Sequence, residues 1–200
     1  MNLCYNKPTY YYNTKICFQK KLHFFVSRVK KQHFLVAKIV LYNKNMKILI
    51  RSRKAIEKMA CQPFAEKTAI ISVTDWNCEF AKLKNTPAYL LQIDFDDVDN
   101  DIFLDELGRK PTEAERIRLE NKYHMLSNEQ AKQIADFYIA IENEVNVVIF
   151  QCEHGQSRSA AIAAAIMEHR SKKGIEVFSN DNYYPNKVVF RKVFNALNKH

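Results

Sequence analysis

Cys152 and Arg158 frame a short loop, Cys152-Glu153-His154-Gly155-Gln156-Ser157-Arg158, with five residues between the thiol and the guanidinium. A thiolate is a strong nucleophile toward phosphorus. A guanidinium is a planar fork that can hold two phosphate oxygens at once. Gly155 allows a tight turn, and successive N–H groups in such a turn make a concave anion site. The sequence that follows, Ser159 to Arg170, reads as an Ala-rich helix. Its first N–H groups and the positive end of its dipole would face the same anion. That positive field favours a thiolate over a thiol. The expected chemistry is therefore attack by Cys152 on a bound phosphate. The amides of Glu153, His154, Gly155, Gln156, Ser157 and Arg158 would cradle the oxygens, and Ser159 would offer a hydroxyl to the departing sulfur.

Two rival motifs fail on their residues. A nucleophile elbow needs Gly-x-Ser-x-Gly, but Gly155-Gln156-Ser157-Arg158 continues with Ser159. A phosphate loop of the Walker type needs Gly-Lys-Ser/Thr, which is absent. A lone cysteine at a strand end is usually a small core hydrophobe. The arginine, the glycine and the flanking elements raise Cys152 above that reading.

The loop must be positioned by its neighbours. Val147 to Gln151 is a continuous apolar run leading into Cys152, and Ala69 to Val73 and Ala88 to Ile93 are similar runs. Runs of this length suit parallel strands covered on both faces. Met46 to Ile50 reads as a short first strand and Lys54 to Ala60 as a short helix. Thr112 with Glu115, and Ser127 with Gln130, are capping-box pairs. They predict helices to about Lys122 and about Ile141, the second with Ala131, Ile134, Ala135, Tyr138 and Ile141 on one face. The fold class is α/β, with a mainly parallel central sheet flanked by helices. Trp76 and Tyr89 read as core residues.

The charge is unevenly spread. Residues 1–45 carry nine Lys/Arg and no Asp or Glu, so of the net +9 none is left for residues 46–200, where 22 basic residues face 22 acidic ones. A basic patch argues for nucleic acid or an acidic membrane surface, but here it belongs to an arm that differs from the rest in composition. The arm reads as a solvated N-terminal extension or a misassigned start, with the domain running 46–200. Five scattered cysteines without a Cys-x-x-Cys pair point to a reducing cytoplasm. No metal-ligand spacing appears, and no cofactor is expected.

The loop resembles the active-site loop of the cysteine-dependent protein tyrosine phosphatase superfamily, most closely its small dual-specificity branch and compact bacterial relatives. Cys152, Gly155, Arg158 and Ser159 fall on the motif positions. Tyr184-Pro185-Asn186, followed by Val189, Phe190, Val193 and Leu197, is similar to the superfamily's C-terminal helix and its entry. Two positions depart from the pattern: Gln151 stands where a histidine is usual, and His154 where a small residue is usual. The resemblance implies a protein-tyrosine-phosphatase fold and a phosphorylated protein substrate, bearing phosphotyrosine and also phosphoserine or phosphothreonine. It also implies a carboxylic acid on the loop after the Ala88–Ile93 strand. Asp94, Asp96, Asp97, Asp99 and Asp101 lie there; Asp97 or Asp96 fits, with Asp97 preferred if Ile93 is the last inward strand residue. Residues Asp101 to Met125 look inserted. Other readings are the same chemistry on an RNA 5′ end or a phosphoinositide, or a phosphate-binding module without turnover.

Overall fold

The computed structural model describes residues 46–200. The basic arm, with its expected roles, and Cys4 and Cys17 lie outside the described residues.

Four parallel strands form the sheet in the order β1-β4-β2-β3: β1 Lys47–Ser52, β2 Thr68–Thr74, β3 Tyr89–Asp94 and β4 Val147–Cys152. β2 is buried at every position, as its apolar run requires of a strand covered on both faces. Side chains alternate across the pleat. Ile71, Val73, Val148 and Phe150 enter the larger core with α4 (Asn128–Ile141), α5 (Arg158–Ser171) and α7 (Lys187–Leu197). Ile70 and Ile149 face the other way, against Ile56 of α1 (Arg53–Met59). The alanines of α5 explain its place: Ala160, Ala161, Ala163, Ala164 and Ala165 have no exposed surface, so the helix backbone lies close to the sheet.

Both capping boxes form, at Thr112 with Glu115 and at Ser127 with Gln130. The Arg109 guanidinium and the Thr112 groups beside Glu115 hold its carboxyl down at about 2. The expected strands and helices are present with ends shifted by one or two residues; β1, for instance, runs to Ser52 rather than Ile50. Two short helices were not foreseen. α2 (Asp101–Leu107) precedes α3 (Glu113–Lys122), and α6 (Ile175–Phe178) follows α5. The segment that looked inserted is thus helical. It is clamped to α7 by the buried Lys192 ammonium, which donates to Glu120 at 2.7 Å and to the Leu126 carbonyl at 2.8 Å. Among the described residues no helix is long and apolar enough to cross a membrane.

Candidate active site

β4 delivers Cys152 to the carboxyl end of the sheet, and α5 begins at Arg158. This is the edge where ligands bind in open parallel sheets. Gly155 makes the intervening turn possible. Its φ is +74°, and a Cβ there would lie 2.6 Å from the Ser52 nitrogen and 2.7 Å from the Arg51 carbonyl carbon. The loop therefore packs directly on the β1–α1 junction, and only glycine fits. Its outer side is tied by the Tyr184 N–H donating to the Gln156 carbonyl at 2.9 Å. Its first residue is held by Arg53. The Arg53 N–H donates to the Glu153 carbonyl at 3.1 Å, and its Nε reaches the Glu153 carboxylate at 2.5 Å. No backbone N–H from Glu153 to Ser157 donates to another protein group among the described residues. These donors are left for a ligand.

Cys152 is 2% exposed, and its Sγ lies 3.0 Å from the Ser159 hydroxyl. With a thiolate the hydroxyl must be the donor. Arg158 is also buried. Its Nη1 donates to the Phe95 carbonyl at 2.7 Å, its Nη2 lies 2.7 Å from the Asp75 carboxylate, and its buried Nε has no hydrogen-bond partner among the described residues. A buried unpaired N–H is costly unless something completes it, and an anion in the loop would do so.

The acidic cluster divides. Asp97 touches the loop: its Oδ1 accepts from the Ser157 hydroxyl at 2.7 Å and from the Asn186 amide at 3.0 Å, while Oδ2 stands 3.8 Å from Arg158 Nε. Asn186 is also the cap of α7, accepting from Val188 and Val189 N–H. Asp96 is turned aside to accept from the Trp76 N–H at 2.9 Å, and Asp94 accepts from Asn77 N–H at 3.2 Å. The strand geometry that favoured Asp97 needs correction. Phe95, 1% exposed, is the last inward residue and not Ile93. The Phe95 carbonyl accepts from Arg158, and Asp97, two residues on, reaches Ser157 and Asn186.

Several site residues escaped sequence reasoning. Asp75, on the arginine, follows β2 as a single acidic residue with no partner nearby in sequence; its place at a strand's carboxyl end was the available signal. Arg53 also bridges Thr74 Oγ1 and the Glu79 carbonyl, both at 2.8 Å. Trp76 is not core: it is 48% exposed and stacks flat on His124, with ring centres 4.6 Å apart. His154 is exposed at the mouth. A separate groove of about 800 Å³ runs along β1 past Ile48, Met167, Val177 and Tyr183 and takes no part in this site.

No protein-family model and no curated protein matches the chain. Among solved structures it is similar to two crystal structures of PTPMT1. One is in complex with PI(5)P, at 14% identity over 67% of this chain and 78% of that one, TM-score 0.37. The other shows 18% identity over 76% and 90%, TM-score 0.39. The chain resembles the cysteine-dependent protein tyrosine phosphatase superfamily. The resemblance lies in the Cys152–Arg158 loop and in the parallel sheet that carries it. Where that superfamily has a histidine before the cysteine, Gln151 is fully buried. Its side-chain Oε1 accepts from the Ser72 hydroxyl at 2.6 Å and its Nε2 has no partner among the described residues.

Proposed function

We propose that the protein is a cysteine-dependent phosphoric monoester hydrolase acting on phosphotyrosine in proteins. One observation carries this reading: a buried Cys152 sulfur within 3.0 Å of the Ser159 hydroxyl, in a turn whose N–H groups and Arg158 Nε are uncommitted. The phosphate seats on those donors. The Cys152 thiolate attacks phosphorus, the S–P bond forms, and the ester P–O bond breaks. Asp97 delivers the proton to the leaving oxygen. One of its oxygens is fixed by Ser157 and Asn186, which leaves Oδ2 to carry the proton. Water then attacks the thiophosphate and gives its proton to Asp97. The thiolate departs, stabilised by the Ser159 hydroxyl, and inorganic phosphate leaves. Arg158 holds the equatorial oxygens through both steps, where charge stabilisation is most valuable.

The carboxylates of Asp75 and Asp97 beside Arg158 disfavour a headgroup with several phosphates and suit a single one. The free thiols at Cys61, Cys78 and Cys152 are compatible with a reducing, cytoplasmic setting. The test is hydrolysis of para-nitrophenyl phosphate in EDTA by the protein and by Cys152→Ser. Turnover lost in the variant supports the reading. Phosphate binding without turnover by the unaltered protein would make it a binding module instead.

A further inference from the structure

The helical segment that looked inserted, α2 and α3, returns to the acidic cluster at His124. It has a small core of its own, in which Phe103, Leu119 and Met125 pack with Val188 of α7. His124 follows α3 with its backbone at φ +44°, a region that residues other than glycine enter at a cost. What the chain gains there is contact with Asp96. The His124 carbonyl accepts from the Asp96 N–H at 2.9 Å. From the other side, the Asp96 carboxylate accepts from the Trp76 backbone N–H at 2.9 Å. The two residues that hold Asp96 also hold each other: indole and imidazole stack with centres 4.6 Å apart and planes 10° apart. Asp96 is thus clipped between the end of α3 and the loop after β2. Asp97, the next residue, is the one that reaches the phosphate loop.

We infer that His124 and Trp76 are positioning residues for the proton donor, and that the α2–α3 segment serves the active site by holding Asp97 through Asp96. This role rests on the phosphatase reading above. A proton donor must lie within hydrogen-bond reach of the leaving oxygen, and a small misplacement of such a group is costly. Ser157 and Asn186 hold the Asp97 side chain, while the backbone that carries it leaves the clip at Asp96. The two hydrogen bonds of the clip to Asp96 use backbone groups of His124 and Trp76 that any residue but proline would bring. The ring stack is what ties those two backbones together. It lies at the surface, Trp76 being 48% exposed, so its removal leaves the core intact and a loss of rate reports position. Asp96→Asn keeps an oxygen for the Trp76 N–H and so leaves the clip closed.

The probes are phenyl phosphate and para-nitrophenyl phosphate, whose leaving groups need the donated proton to different degrees. Trp76→Ala and His124→Asn each lower kcat/KM about three- to tenfold for phenyl phosphate and less for para-nitrophenyl phosphate. Asparagine tolerates the left-handed backbone at position 124, so that change removes the ring alone. Trp76→Phe keeps the stack and most of the rate. In the Asp97→Asn protein, Trp76→Ala lowers the rate no further, because no proton donor is left to place. No loss in either variant, losses equal for both esters, or a Trp76→Ala loss that persists in full in Asp97→Asn overturns the positioning role and leaves the phosphatase reading intact. No turnover of either ester by the unaltered protein overturns both.

Discussion

The Cys152 loop and the Asp94–Asp101 segment meet at one site but are built in opposite ways. The loop is set by packing. β4 after Val147 and α5 as far as Ile166 are buried, and Gly155 presses on the β1–α1 junction. The acidic segment is set by polar contacts at the surface: Asp97 on Ser157 and Asn186, Asp96 on the Trp76 N–H, Asp94 on Asn77. Packing leaves few alternatives. Surface hydrogen bonds are individually worth about 1 kcal/mol net, so each contact in the acidic segment constrains it less than the packing constrains the loop. The Cys152 half of the site is held by packing, and the Asp97 half by polar contacts.

That contrast orders the expected effects. Cys152→Ser removes the nucleophile and should cut turnover by about 10³-fold or more in a continuous assay, without loss of phosphate affinity, since losing a reacting group removes the pathway. Arg158→Lys should cost about 10²- to 10³-fold in kcat/KM, because an ammonium cannot replace the planar guanidinium that presents Nε to the loop while Nη1 and Nη2 stay on Phe95 and Asp75. Asp97→Asn should slow poor leaving groups about 10²-fold and leave para-nitrophenyl phosphate nearly untouched, whereas Asp96→Asn should lack that leaving-group dependence. A reversed pattern would move the acid to Asp96 and break the division drawn here. Arg53→Ala should have the smallest effect, a few-fold rise in KM, because it removes one brace from a loop that Gly155 still seats. A large fall in kcat there would show that the loop is less self-sufficient than its packing implies.

The same contrast governs what could be read from the sequence. Cys152, Gly155, Arg158 and Ser159 are legible because strand, turn and helix lie contiguously and each constrains the next. The parallel sheet is legible because β2 and β4 are mostly apolar runs, broken inside only by Ser72 and Gln151. Asp75 is not, since its bond to Arg158 joins residues far apart in the chain and one carboxylate after a strand resembles any other. The Ser72–Gln151 contact is hidden in the same way, spanning 79 residues. α2 was masked by the acidic cluster at its start, and its Asn100 cap makes no side-chain bond. Trp76 read as core because large aromatics usually are; its place in solvent follows from a stack on His124 and a backbone bond to Asp96, neither of which local pattern encodes.

A cysteine-dependent hydrolysis passes the phosphoryl group through the Cys152 sulfur. The direct test is a rapid acid quench of the protein during turnover of a phosphotyrosine peptide, followed by peptide mapping by mass spectrometry. One phosphoryl group is expected on the peptide containing Cys152, absent in Cys152→Ser and longer-lived in Asp97→Asn. Turnover with no phosphoryl on that peptide, or with phosphoryl on another residue, would contradict it.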